Sequence, residues 1–155
     1  MTALLTAIAL WLSANFDLPA MHEPPKVELV SPARIAAIRY QAFTAWQQHD
    51  LATAMSKAGD KGKPRATVAV YDDANQTIYL PAAWTGATPA DLSVLVHEMV
   101  HHLQNIGRLK YECPAAREEL AYLAQDKWLG LFGLDLESTF DLDKFTLKVS
   151  TLCGY

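Results

Sequence analysis

Two histidines four residues apart, His97 and His101, enclose a glutamate in the run His97-Glu98-Met99-Val100-His101. On an α-helix, residues i and i+4 lie one above the other, so both imidazoles leave the same face and can share one ion. Zinc suits such a pair, with bonds to imidazole nitrogen of ~2.0–2.1 Å. Glu98 stands about 100° round the helix from His97, beside the pair but off it. A carboxylate there can hold a water on the metal's open side and accept its proton. Zinc brings the pKa of a bound water to about 7, so the expected reaction is hydrolysis of a peptide bond with Glu98 as general base.

Chance alone gives such a five-residue match with a probability on the order of 0.007 in a chain of this length and composition. The setting adds weight. Leu92, Leu95, Val96, Met99, Val100 and Leu103 surround the motif, and Asp91 and Glu98 are almost the only charges nearby. Two histidines and a glutamate on so apolar a helix are costly to bury unless they are paired or bind a metal. The contrasting reading is two core histidines satisfied by neighbours, with Glu98 in solvent. His102 points well away from the His97–His101 face and reads as a packing or surface residue.

A catalytic zinc takes a third protein ligand and keeps one position open. The next helical stretch offers Glu118 and Glu119. Glu118 shares a stripe with Tyr122, Gln125 and Leu129, a polar row that suggests a buried face, whereas Glu119 lies with Asp126 on the exposed side. Glu118 is therefore the expected ligand and Glu119 the alternative. Either could instead be an acid favoured in a first helical turn by the helix dipole.

The elements that must carry these residues are legible in outline. Ser31-Pro32 marks an N-cap followed by proline at the first helical position, and Ile35, Ile38, Ala42, Ala45 and Trp46 continue at helical spacing to about His49, or on to Met55, before a break at residues 59–64. The period then changes. Thr67-Val68-Ala69-Val70-Tyr71 and Thr77-Ile78-Tyr79-Leu80, separated by Asp72-Asp73-Ala74-Asn75, predict a β-hairpin whose second strand ends at Pro81. Thr88, Pro89 and Asp91 resemble a capping box, with aspartate in place of glutamate, opening a helix that runs to Gly107. Residues 115–131 read as another helix, and Leu142, Phe145, Val149 and Leu152 are spaced for a last one. The predicted class is α+β: helices packed on a small β-hairpin or sheet, with the motif helix followed by a glutamate-bearing helix.

Length and composition bound the rest. At 155 residues, with 51% hydrophobic and 19% charged side chains, the chain fits one globular domain. A net charge of −4, with Lys57, Lys61, Lys63 and Arg65 as the nearest approach to a basic cluster, argues against nucleic acid as a partner. Residues 3–12 are an apolar run too short to span a bilayer, which needs ~20 residues. That length suits the core of a secretory signal, so residues 1–20 are expected to be a signal peptide or N-terminal apolar segment, and residues 26–155 the working domain. The usual positive charge before the run is missing. If the segment belongs to the fold instead, the protein stays in the cytoplasm; otherwise it is periplasmic or secreted. Export would favour a disulfide between Cys113 and Cys153, stabilising by ~2–4 kcal/mol.

At these residues the sequence resembles zinc metallopeptidases of the gluzincin type, and more closely a group of small bacterial metallopeptidase-like domains. The matching segments are Ile78-Tyr79-Leu80-Pro81, Leu95 through Gln104, Cys113, Glu118 with Ala121-Tyr122, Gln125 and Trp128-Leu129, and Cys153-Gly154-Tyr155. The resemblance implies a zincin-like fold, a zinc site of His97, His101 and Glu118, Glu98 as base, and a strand near Ile78–Leu80 lining the cleft, where it could pair with an extended peptide or protein substrate. It departs in one respect: gluzincins often follow the ligand glutamate with alanine-asparagine or alanine-aspartate, and here Leu120 precedes Ala121-Tyr122. Tyr111, Tyr122, Tyr155 and His102 have the chemistry to stabilise a transition state. The alternative function is a non-catalytic metal-binding or protein-interaction module that keeps the site without turnover.

Overall fold

Strand-forming residues on either side of a polar turn build the hairpin at the centre of the structure. The computed structural model describes residues 1–42 and 69–154. In it β2 (Val70–Asp72) and β3 (Thr77–Pro81) pair antiparallel, with Tyr71 opposite Ile78. Asp72 closes the turn: its carboxylate accepts from the backbone N–H of Ala74 at 2.9 Å and of Asn75 at 3.2 Å, and from the Asn75 amide at 2.7 Å. A short acid that can bond its own backbone two residues on is a natural turn former. Continuation of the first strand back to Thr67, the helix beyond Ala42, the break at residues 59–64 and Tyr155 lie outside the described residues.

A third strand, β1 (Lys26–Val30), completes a mixed sheet in the order β1-β3-β2. It runs parallel to β3, with Lys26 opposite Thr77 and Val30 opposite Pro81. Its residues Lys-Val-Glu-Leu-Val lie along the sheet edge and are largely exposed. The weak alternation left nothing to predict this strand from; its partner is some fifty residues away in sequence. One expectation is corrected here. β3 is the central strand, occupied by β1 along its whole length and by β2 over Thr77–Tyr79. Its backbone cannot take an extended substrate there, and any added strand would have to join at an outer edge.

Around the sheet stand α1 (Thr2–Phe16), α2 (Pro32–Ala42), α3 (Pro89–Ile106), α4 (Ala116–Gly130), α5 (Leu136–Phe140) and α6 (Lys144–Ser150). The described residues thus form an α+β fold of six helices and a three-stranded sheet. Ser31 caps α2, its hydroxyl accepting from the Arg34 N–H at 3.2 Å. Two short helices after α4 open the same way, with Asp135 and Asp143 each accepting an N–H at 2.8 Å.

The motif helix α3 is the spine of the core. Every residue from 93 to 104 is buried, so this helix is covered all round and must find partners for its polar side chains within the protein. Leu5, Ile8, Ala9 and Leu12 of α1 pack into the same cluster as Leu95, Met99 and Leu103 of α3 and Ile78 and Leu80 of β3. Trp11 of α1 meets Trp128 of α4 edge to face at 5.3 Å. None of the helices among the described residues is long and apolar enough to cross a membrane.

Candidate metal centre

The entry to α3 is fixed by a knot of short polar side chains. Thr88 accepts from the Asp91 N–H at 3.0 Å, half of the expected capping box. The reciprocal half is different. Asp91 is one methylene shorter than glutamate and turns outward, accepting from the Thr85 hydroxyl at 2.6 Å, the Thr85 N–H at 3.2 Å and the Gly86 N–H at 3.1 Å. Trp84 closes the knot from its indole N–H to the Asp91 carbonyl at 2.8 Å. Gly86 takes φ +67°, and a Cβ there would lie 2.7 Å from the Trp84 ring, so only glycine fits. The helix direction, and with it the aim of both histidines two and three turns on, is set here.

His97 and His101 project from one face, their Nε2 atoms 3.3 Å apart. Glu118, from the first turn of α4, reaches both: one carboxylate oxygen is 3.1 Å from His97 Nε2 and the other 3.3 Å from His101 Nε2. Glu119 is exposed. The three ligand-type atoms of His97, His101 and Glu118 lie within 4.8 Å of one another and could hold a metal ion. The histidine side chains are about one-tenth exposed and Glu118 about one-third, so the cluster is reached from the Glu118 side.

Behind each imidazole stands a glutamine that sequence reasoning did not assign to the site. His97 Nδ1 lies 3.1 Å from Gln125 Oε1, and His101 Nδ1 3.0 Å from Gln104 Oε1. Neighbours fix the amide orientations. Gln104 Nε2 donates to the Arg117 carbonyl at 3.1 Å, so the nitrogen must be on that side. Ser93 gives its proton to the Ala90 carbonyl at 2.8 Å and so accepts from Gln125 Nε2 at 3.3 Å. Both histidines therefore donate from Nδ1, which leaves both Nε2 lone pairs aimed at the shared point and at Glu118. Gln125 carried one available signal, its place seven residues after Glu118 on the polar stripe. Gln104, three residues after His101, carried none beyond its spacing.

Two lone pairs and a carboxylate facing one another at 3.1–3.3 Å repel unless a positive charge lies among them. Protonation behaves accordingly. Burial pushes the His101 imidazole down, but the hydrogen bond and negative charge of Glu118 outweigh it and raise its pKa. Burial alone would raise the Glu118 carboxyl; the bonds from His101 and His97 hold it far below the usual carboxylate range. The cluster favours a positive charge at its centre.

The family model described as domain of unknown function DUF6647 matches residues 1–153. The chain belongs to that family. No curated protein and no solved structure matches it. In this DUF6647 domain the cluster of His97, His101 and Glu118 sits on helices that the family match covers in full.

Glu98 is 5% exposed, and no group among the described residues hydrogen-bonds its carboxylate. Its charge acts on both His101 and Tyr122. A nearly buried carboxylate that no described residue bonds, next to three convergent ligand-type groups, is a candidate for handling a proton. Tyr122 stacks edge-on against His97 at 4.8 Å, and burial, with the charge of Glu118, raises its hydroxyl pKa. Tyr111 lies behind the site, toward Gln104. His102 is fully buried: it donates from Nε2 to the Glu23 carbonyl at 3.1 Å and accepts at Nδ1 from the Tyr71 hydroxyl at 3.1 Å. That ring ties α3 to the sheet and to the segment before β1. Of the four side chains with suitable chemistry, Tyr122 alone of those described borders the cluster.

Arg117 braces the outer wall. It pairs bidentately with Asp73 of the hairpin turn at 2.6 and 2.9 Å, and reaches Gln104 Oε1 at 3.5 Å and the His101 carbonyl at 3.4 Å. Cys113, in the loop before α4, is bridged to Cys153, with the two Cα atoms 5.8 Å apart.

Proposed function

We propose that this chain is a zinc-dependent peptidase of zincin-like design, with His97, His101 and Glu118 as metal ligands and Glu98 as general base. The observation that carries this reading is the convergence of two Nε2 lone pairs and a carboxylate on one point, with both Nδ1 protons spent on glutamines. Bonds of ~2.0–2.1 Å to a tetrahedral ion place its ligands about 3.3–3.4 Å apart, and the separations of 3.1 and 3.3 Å are close to that set. Histidine and carboxylate donors, with a glutamine amide behind each imidazole, suit zinc, and three ligands leave a position open.

When bound, zinc lowers the pKa of water to about 7 and polarises a substrate carbonyl. Glu98 takes the proton from the attacking water and delivers it to the departing amine, so the peptide bond is exchanged for a carboxylate and a free amine. Gln104 and Gln125 fix the tautomer and the orientation of the two imidazoles. Tyr122, along the wall beside His97, is the side chain with an O–H to offer the developing oxyanion. The substrate is a peptide or protein; the Cys113–Cys153 bridge supports a periplasmic or secreted setting, whereas the packing of α1 into the core supports the cytoplasmic alternative.

The test is Glu98→Gln. The variant should bind one zinc per chain like the parent and lose ~10²–10⁴-fold in peptide hydrolysis; undiminished turnover would remove Glu98 from the mechanism. One observation favours a second reading, a metal-binding module without turnover. Among the described residues Tyr122 is the single candidate oxyanion donor, and its ring is committed to edge-on packing against His97 at 4.8 Å. A peptide-library digest by zinc-loaded protein from pH 5 to 9 separates the two.

A further inference from the structure

Among the described residues, the last stretch of the chain is held by little except a covalent bond. Helix α6 has no buried residue, and Phe145, Val149 and Leu152 are 76%, 51% and 57% exposed. Such a helix contributes almost no apolar burial of its own, and seven residues cannot sustain a helix by propensity. It packs on α4 nonetheless. Cys153, three residues past its end, is bonded to Cys113 at the mouth of the loop that enters α4. Between these points α6 lies against α4, the helix that carries Tyr122, and the Tyr122 ring meets His97 at 4.8 Å. A weakly packed segment is thus pinned at its far end beside the wall of the ligand cluster.

We propose that residues 144–153 are a disulfide-tied strap closing one side of the metal cleft, and that opening the Cys113–Cys153 bridge releases the strap while leaving the ligand triad assembled. Thiol–disulfide exchange with a dithiol performs the opening: two protein thiols form, and the dithiol leaves as its cyclic disulfide, so electrons and protons balance. The triad survives because Glu118 belongs to α4, whose long contact with α3 contains the buried Ala121, Ala124 and Gln125 and does not depend on the strap. Released, residues 144–153 expose Tyr122 and widen the approach to His97 and Glu118. Local opening of this kind is drawn from the least stable part of a fold. That the widened cleft changes substrate turnover rests on the peptidase reading; the release itself does not.

The experiment compares the oxidised full-length protein with the same protein reduced by dithiothreitol and alkylated in the folded state. Cobalt(II) in place of zinc reports the ligand set through its visible spectrum. Amide hydrogen exchange read by mass spectrometry reports the strap. Reduction should raise exchange across residues 144–153 by at least tenfold, with residues 93–106 unchanged and the cobalt spectrum retained. Equal protection of residues 144–153 in both forms would overturn the strap, and loss of the cobalt spectrum on reduction would show that the bridge holds the ligands instead. A Cys113→Ser/Cys153→Ser variant repeats the comparison without reductant. If zinc-loaded oxidised protein cleaves no peptide, the peptidase reading fails, while exchange and spectrum still decide the strap.

Discussion

His97 gives its Nδ1 proton to Gln125 Oε1 across 3.1 Å, from the motif helix to the helix that follows it. That bond selects the tautomer in which Nε2 is bare, and it joins the two helices that carry the proposed ligands. A glutamine is well chosen, because its own Nε2 is fixed by Ser93 and cannot turn its donor toward the ring.

Replacing Gln125 by leucine should therefore weaken metal binding more than it weakens the fold. Loss of an outer partner of a ligating histidine costs about 10–100-fold in metal affinity. Competition against a chromophoric chelator measures it, and Gln104→Leu should behave alike through His101. Affinity within twofold of the parent in both variants would mean that the glutamines do not orient the rings.

Because His102 neighbours the proposed ligand His101 in sequence, it is the natural control. His102→Ala should keep one zinc per chain yet lower stability, since it removes a buried ring that links Tyr71 and the Glu23 carbonyl. Tyr71→Phe leaves His102 Nδ1 without its donor at a cost of about 1–3 kcal/mol. Urea denaturation with parallel zinc analysis checks both.

At the start of α3, Thr88→Ala should cost about 1 kcal/mol as the loss of an N-cap. Asp91 adds a pH dependence. The Thr85 hydroxyl, then the Thr85 and Gly86 N–H groups, hold its carboxyl below the ordinary 3.8 against a smaller opposing effect of burial. A carboxyl depressed in the folded state stabilises above its unfolded pKa of about 4, and that contribution is lost as pH falls through the lower folded value. The stability gap between the parent and Asp91→Asn should be full at pH 6 and shrink below pH 4. A gap that is independent of pH would contradict this.

The Arg117–Asp73 pair looks strong by distance, but the Asp73 side chain is 49% exposed. Asp73→Asn should cost less than about 1 kcal/mol, as exposed ion pairs do. Arg117→Met removes more, since the guanidinium also braces Gln104 and the His101 carbonyl. It should lower zinc affinity severalfold, where Asp73→Asn changes it little.

Much of this protein was written in local pattern. The i, i+4 histidines with Glu98 between them, the Thr88 cap, the hairpin about Asp72 and the helical spacing of residues 115–131 depend on neighbours close in the chain, and periodicity exposes them. Tertiary structure decided the rest. It set Glu118 against the two histidines, since the angle between α3 and α4 follows from packing and not from either helix alone. It gave Gln104 and Gln125 their orientation through Arg117 and Ser93. It also enlisted β1, a strand with almost no buried face, and so put β3 in the middle of the sheet instead of at a substrate's edge. Short-range sequence fixes which side chains leave a helix on the same side; only the packed chain determines what faces them.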